Sequence, residues 1–479
     1  MEVLNFEEIR KIAPSTSLIF SPCHRSHIDY LALSYLLYYK DLMLPQIVAG
    51  KNLNLPLVGP LLRKGGAFFM RRSFSNNRLY SVVFYEHLKK LMQRGHSIEF
   101  FPEGGRSRSG KLMPPRPGII SMILRSFLGM DEKQVSFVPI SINYEKVLEG
   151  NSYINEVMGA EKKKENLKDI FSVFRDFRNY LGEAYLQFGE PINLNALLKE
   201  YPLSDYSSEK DWLFKVTPVL GKKIMTTIND STVVTSTALF SLAILNSDGF
   251  SISNRELVSR IELLKSLLAE DKYSAKTLIC EKTGEEIIDQ MRKLGFLSKE
   301  DINDRISLTN LEAAKLSFYR NNISHLLIFE SLICGFFQYQ KEIVKEDLLQ
   351  SIKMIYPFLK EEFFLKWDEA DLDQLINLKL NKLINKNLIL EDSNVYKRPD
   401  FKSREFYETQ SLGKLVQPSI DRFYVLISQL WKNSAEHISK NELERNSLEI
   451  LKNLEKTQAR LTPEFSEKWM FDVFLSRLI

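Results

Sequence analysis

Residues 17–39, SLIFSPCHRSHIDYLALSYLLYY, decide how this chain is read. The first four are a short apolar run of the kind a buried strand supplies. Residues 30–39 are a longer apolar stretch with helical character. Between them lies a junction carrying His24 and, after four intervening residues, Asp29. The spacing predicts His24 at a strand end and Asp29 in the first helical turn, within hydrogen-bonding reach of one another. A carboxylate on one imidazole nitrogen fixes the tautomer and leaves the other nitrogen to accept a proton near neutral pH. This is the equipment of a general base. A second reading of the same residues is a capping box, Ser26 to Asp29, in which Asp29 only satisfies the helix start. Cys23 is a poor nucleophile candidate, because neighbours on a strand point to opposite faces. His27 follows His24 by three residues, but no further Cys/His cluster completes a metal site, and none is expected.

Outward from this junction, apolar runs alternate with amphipathic stretches up to about residue 245. Strands are predicted at 17–20, 46–49, 67–70, 97–101, 136–142 and 185–188, and helices at 29–39, 78–94, 118–127 and 211–227. Such alternation predicts an α/β fold, a mixed sheet flanked by helices, with functional loops at the strand ends. Residues 246–254, NSDGFSISN, are turn-rich and read as a linker. Beyond them, 255–479 read as a mainly helical C-terminal domain. Two stretches there, 286–308 and 375–396, each pair a helix with short β-like runs around a polar turn, as winged-helix units do. The first candidate helix mixes acidic with basic residues, so a nucleic-acid partner is not expected.

With 479 residues, 44% of them hydrophobic and 26% charged, the chain is long enough for two globular domains. Its three cysteines, Cys23, Cys280 and Cys334, form no spaced framework and fit a reducing compartment. The first residues, MEVLNFEEIR, are too acidic and polar for a secretory leader. No apolar run reaches the roughly 18–20 residues a membrane span needs. The charge is uneven. Residues 1–130 hold 18 Lys and Arg against 8 Asp and Glu, whereas the remainder holds 47 against 53. A basic N-terminal part predicts anionic partners such as a phosphate, a coenzyme or an acidic lipid surface.

Three further blocks carry chemistry. Residues 67–74, AFFMRRSF, end an apolar strand in Arg71 and Arg72, whose planar forks suit a phosphate. Neighbouring side chains diverge on an extended segment, so one arginine faces a site and the other its rim. Residues 97–110, SIEFFPEGGRSRSG, run from a strand into Glu103, then Gly104 and Gly105, then Arg106 and Arg108. The glycines permit close approach or positive φ. The arginines suit phosphate, and Glu103 suits a substrate hydroxyl or the ordering of those arginines. A Walker loop is excluded, because Leu112 follows Lys111 where a Mg²⁺-binding hydroxyl is needed and Pro114-Pro115 interrupt the helix. Residues 136–145, SFVPISINYE, place Pro139 inside a β-rich run, which implies an edge, a bulge or a backbone turned toward a ligand.

In this order, HRSHIDYL, GAFFMRRSF, FPEGGRSRSG and VPISINYE resemble the glycerol-3-phosphate 1-O-acyltransferase family, particularly its bacterial membrane-associated branch. FGEPI at 188–192 continues the likeness, which is good over residues 17–245. The resemblance implies His24 as catalytic base with Asp29 orienting it. It implies phosphate-side binding by Arg72 and substrate contacts from Glu103, Gly104, Arg106 and Arg108. Pro139 and its neighbours would shape the acyl or phosphate pocket. The implied reaction is acyl transfer from a thioester, acyl-CoA or acyl-carrier protein, to the sn-1 hydroxyl of glycerol 3-phosphate, giving lysophosphatidate by direct attack and with no cofactor. Dihydroxyacetone-phosphate acyltransferases share two of the blocks, so that acceptor stays open, as does a non-catalytic lipid- or phosphate-binding role. The lipid product implies peripheral association with the cytoplasmic face of the membrane.

Overall fold

The computed structural model describes residues 1–54, 58–71, 77–130, 134–149, 181–297, 304–432, 438–458 and 462–478. An eight-stranded mixed sheet organises the N-terminal half. Its strands are β1 (Glu2–Leu4), β2 (Thr16–Pro22), β3 (Gln46–Gly50), β4 (Ala67–Met70), β5 (Ile98–Glu99), β6 (Gln134–Tyr144), β7 (Ala184–Phe188) and β8 (Ile192–Asn193). Their order is β1-β7-β6-β2-β5-β3-β4, with β8 also on β6. Neighbours run parallel except that β6 meets β7 and β8 antiparallel. The six strands read from apolar runs are all present, and 29–39 is a helix as predicted. The three-residue β1 is too short to leave a sequence signature and closes an edge.

Long apolar strands are central because both of their faces are covered. β2 is buried along almost its whole length, in register with β6 from Thr16↔Gln134 to Pro22↔Ile140. Helices α1 (Phe6–Ile12), α2 (Asp29–Tyr39), α3 (Val58–Lys64), α4 (Arg78–Gln93) and α5 (Pro117–Leu128) connect these strands. Pro117 starts α5 at a position where its missing N–H costs nothing. The helix Glu209–Asp230 runs on through Pro218.

Pro139 lies inside the central strand β6, opposite Ser21, and not on an edge. The reason is a change of partner. β8 pairs with β6 at Ser136–Phe137 and β7 takes over from Ile140. At the hand-over the Gly189 N–H donates to the Pro139 carbonyl at 2.8 Å, and the reciprocal bond that proline cannot donate falls where β6 passes from one partner strand to the other.

The turn-rich stretch 246–254 is not a solvent-exposed tether. Asn246, Ser247, Phe250 and Ile252 are all buried, and Ser251–Ser253 pairs antiparallel with Arg305–Ser307. One continuous hydrophobic cluster runs through both halves. The C-terminal half repeats a strand–helix–helix–strand pattern. Ser251–Ser253, Asn254–Glu270, Gly284–Leu294 and Arg305–Ser307 form the first instance. Glu342–Val344, Lys345–Phe363, Leu372–Asn385 and Val395–Lys397 form the second, with Leu390–Asp392 completing a hairpin. In each, the outer strands pair antiparallel and a buried apolar helix, Ser236–Leu245 or Ile328–Phe336, precedes them.

Candidate active site

The end of β2 and the start of α2 hold His24 and Asp29 together. His24 Nδ1 lies 2.8 Å from Asp29 Oδ2, with the imidazole side chain 14% exposed and the carboxylate fully buried. The ring stacks on Phe101, centroids 4.0 Å apart. Among the described residues Nε2 carries no hydrogen bond. A ring held by Nδ1 presents Nε2 outward, as a proton acceptor must.

The capping and orienting geometries coexist at Asp29: the Ser26 N–H that it accepts is the donor a capping box gives its fourth residue, and the same oxygen faces His24 Nδ1. Oδ2 accepts the N–H of Arg25 at 2.6 Å and of Ser26 at 2.9 Å, both ahead of the helix. Ile28 is the N-cap of α2, and no side chain caps it. Oδ1 accepts the Tyr144 hydroxyl at 2.7 Å. Asp29 therefore folds the junction around itself and leaves the α2 amides alone. Ser26 turns instead to Glu149, donating to its two oxygens at 2.8 and 3.1 Å, while the His27 N–H donates to Glu149 Oε1 at 2.7 Å.

The glycine-arginine loop is fastened to the same junction by Glu103. Its Oε1 accepts the His24 backbone N–H at 2.8 Å and its Oε2 the Met113 N–H at 2.9 Å. Of the two roles read for Glu103, the geometry supports the ordering of the arginine loop. The buried carboxylate is engaged by two backbone donors and acts as a staple between base and loop. Burial pushes it up to about 7, against the pull of Arg25 and those two donors. Gly104 has φ +66°, and a Cβ there would stand 2.8 Å from Arg116 Cγ, so the turn needs glycine. Arg106 and Arg108 are half-buried, with Arg106 Nη1 3.9 Å from Glu149 Oε1. The loop backbone returns to the base, the Ser107 N–H donating to the His24 carbonyl at 2.9 Å.

Arg72 lies outside the described residues. Its neighbour Arg71 is exposed and sits over the Tyr80 ring at 4.8 Å. It borders a groove of about 340 Å³ that is also lined by Lys51, Arg63, Phe68 and Phe69. Pro139 is buried one strand from Ser21, with its carbonyl committed to Gly189. Cys23 is sealed in the core, where its Sγ meets the Ile142 N–H at 3.2 Å. Burial pushes its thiol up to about 11, which removes it as a nucleophile.

Four residues of this arrangement escaped the sequence reading: Arg25, Tyr144, Glu149 and Glu99. Arg25 is buried and donates to the Gly110 carbonyl, tying the two loops a second time. Tyr144 is inside the fourth block, at the end of its apolar run, and Glu149 stands beyond it, where only the polar residues after an apolar strand could have marked it. Glu99 is buried on β5, and among the described residues neither of its oxygens has a hydrogen-bond partner. Burial, reinforced by the nearby Asp29 charge, pushes its carboxyl well above the usual range.

Residues 3–143 match the acyltransferase family model, and residues 153–479 match the model described as the glycerol-3-phosphate acyltransferase C-terminal region. The chain belongs to the glycerol-3-phosphate acyltransferase family. It is 36% identical over 487 residues to the glycerol-3-phosphate acyltransferase of Pseudomonas putida strain GB-1, which covers 100% of this chain and 59% of that protein. For the Pseudomonas aeruginosa strain UCBPP-PA14 enzyme of the same name the figures are 35% over 488 residues, 100% and 58%. The chain thus spans about three fifths of the length of the curated relatives it matches. A solved structure, the 1-acyl-sn-glycerophosphate acyltransferase of Thermotoga maritima, is a distant likeness. It shares 17% identity over 47% of this chain and 70% of that one, at a TM-score of 0.27. The two family models divide the chain between residues 143 and 153, well ahead of the turn-rich stretch at 246–254.

Proposed function

We propose that this glycerol-3-phosphate acyltransferase family member moves a fatty acyl group from a thioester to the sn-1 hydroxyl of glycerol 3-phosphate, giving lysophosphatidate, the first step of phospholipid synthesis. One observation carries the reading: Glu103 joins the His24 backbone to the arginine loop at 2.8 Å, so the base and the phosphate-binding side chains move as one body. The acceptor phosphate sits against Arg106 and Arg108, and the family resemblance adds a phosphate-side role for Arg72. The Arg106 Nη1 lies 3.9 Å from Glu149 Oε1, and a guanidinium gives a phosphate dianion two aligned, charge-assisted bonds.

The hydroxyl then stands at His24 Nε2. It attacks the thioester carbonyl carbon as the ring takes its proton. The tetrahedral oxyanion collapses, the C–S bond breaks, and the leaving thiolate recovers the proton from His24. The buried Asp29 carboxylate stabilises the transient imidazolium. Fixing acceptor and base in one frame supplies much of the acceleration. A thioester is reactive enough that neither an acyl-enzyme nor a metal or other cofactor enters this scheme.

Peripheral binding at the cytoplasmic membrane face belongs to the same proposal. The acyl donor and product partition into bilayers. Among the described residues no helix is long and apolar enough to cross a membrane. The helix that opens at Asp29 exposes Leu31, Tyr35, Tyr38 and Tyr39 along one face, with the three tyrosines 63–73% accessible. Tyrosine suits an interface that is apolar on one side and wet on the other.

The deciding experiment is an assay of the purified chain that crosses acyl-CoA and acyl-carrier-protein donors with glycerol 3-phosphate and dihydroxyacetone phosphate. Transfer to glycerol 3-phosphate is expected. Transfer only to dihydroxyacetone phosphate would change the acceptor, and phosphate or lipid binding without transfer would overturn the enzyme reading.

A further inference from the structure

Loop residues 104–111 carry the two arginines, and one of their flanks is held by the His24 junction. Their other flank touches the C-terminal half. Ser109 offers its carbonyl to Asn321 Nδ2 at 2.7 Å. Gly110 has φ +84° and packs so tightly on the helix Asn310–Ile323 that a Cβ would stand 2.0 Å from the Phe318 carbonyl oxygen. Lys111 is buried, and its Nζ lies 2.6 Å from Glu362 Oε1 and 4.3 Å from the Phe363 ring centroid. Glu362 also meets Arg422 Nη2 at 2.6 Å and accepts the Ser419 hydroxyl at 2.7 Å. Three consecutive loop residues are thereby fixed by partners more than two hundred positions away.

We infer that the C-terminal half is the mould of the arginine loop, and that Glu362 is the positioning residue at its centre, setting where Arg106 and Arg108 stand through Lys111.

Energetics favour this over a purely stabilising role. Taking a lysine, a glutamate and an arginine out of water costs several kcal/mol per ion, and well-packed apolar residues often serve stability as well or better. Burial alone would raise the Glu362 carboxyl, yet Arg422 and Lys111 outweigh it and hold it at about 2, while burial pulls the Lys111 amine down against the attraction of Glu362. What apolar packing does not supply is directional fixing. Within the loop, Ser107 Oγ donates to the Lys111 carbonyl at 2.6 Å and accepts the Gly110 N–H at 3.0 Å. A shift of Lys111 therefore passes through Ser107 to the arginines on either side of it.

The inference rests on the proposed acyl transfer only for its kinetic readout. Amide hydrogen exchange over 104–112 tests it without any assay of turnover. Glu362→Gln should leave exchange in β2 and β6 as in the wild type and speed exchange in the loop by roughly tenfold or more. It should raise the KM for glycerol 3-phosphate by about tenfold, with kcat and the KM for the thioester within about twofold. Asn321→Ala, which removes the bond to Ser109 along with those to Glu464 and Arg320 and leaves Lys111, Glu362 and Arg422 in place, should show the same pattern in smaller degree and answers the question if Glu362→Gln does not fold. Unaltered loop exchange in the folded variants would overturn the inference. So would a fall in kcat with the acceptor KM unchanged.

Discussion

The Tyr144 hydroxyl donates a 2.7 Å hydrogen bond to Oδ1 of Asp29, the oxygen that His24 does not use. Strand β6 thus reaches under the junction and completes the surroundings of a buried carboxylate. A hydrogen bond to a charged group contributes about 1.5–3 kcal/mol. Tyr144→Phe should lower unfolding stability by roughly that amount and kcat by about tenfold, with both KM values near wild type. Urea melts and steady-state kinetics check this, and a variant with wild-type kcat would leave Tyr144 a packing residue.

The base and its orienting partner come apart in two variants. His24→Ala should fold normally and lose about 10²–10⁴-fold in kcat. In Asp29→Asn the amide oxygen can still accept the N–H groups of Arg25 and Ser26, so the junction should keep its shape. The imidazolium loses its counter-charge, and kcat should again fall by about 10²–10⁴-fold. Near-normal turnover by the Asn variant would mean that Asp29 only shapes the loop.

Glu103 gives the fold a pH dependence whose sign follows from its burial. Its carboxyl stands at about 7 in the folded chain against an ordinary 4.5. A raised folded value means that the folded state binds the extra proton, so its contribution is full below about pH 4.5 and lost as pH rises through about 7, up to roughly 3 kcal/mol. His325 acts oppositely. Burial holds it at about 3, so its contribution is full above about 6.5 and lost as pH falls. Subtracting the Glu103→Gln stability curve from the wild-type curve isolates the first effect. The difference should fall between pH 5 and 7.5, and a flat difference would contradict the assignment.

The exposed face of α2 is the proposed membrane contact. Replacing Tyr35, Tyr38 and Tyr39 together by serine removes aromatic area without touching the core. Co-sedimentation with vesicles of mixed phosphatidylglycerol and phosphatidylcholine should weaken by about tenfold. Thermal stability should hold. Undiminished sedimentation would move the contact elsewhere on the surface.

The sheet and the His24–Asp29 pair were legible because both are written locally. Apolar runs mark strands that are covered on both faces, and five residues are enough to bring a strand-end histidine to a carboxylate at the helix start. The rest of the site was not local. Tyr144 reaches Asp29 across 115 positions and Glu149 reaches Ser26 across 123, distances over which no spacing rule operates. Glu103 was left with two readings for a related reason. A carboxylate next to paired glycines resembles a ligand contact, and only the fold reveals that two backbone amides have claimed it. Of the three settings read for Pro139, the edge is excluded by its place inside the sheet, because a change of strand partner also leaves room for a residue with no N–H to donate. In the C-terminal half, helix and strand types were readable, but the meeting of Lys111 with Glu362 was not.

Cys23 adjoins the base yet is shut between β2 and β6, whereas Cys280 is only half-covered and Cys334 is buried. Alkylating reagents will therefore label this chain in two phases, with Cys280 first. The slow phase combines Cys334 and Cys23, and at Cys23 it reports openings that free the sulfur from the Ile142 N–H of β6. A covalent probe placed by nature one residue from the imidazole can thus time how often the catalytic floor opens, without any engineered label.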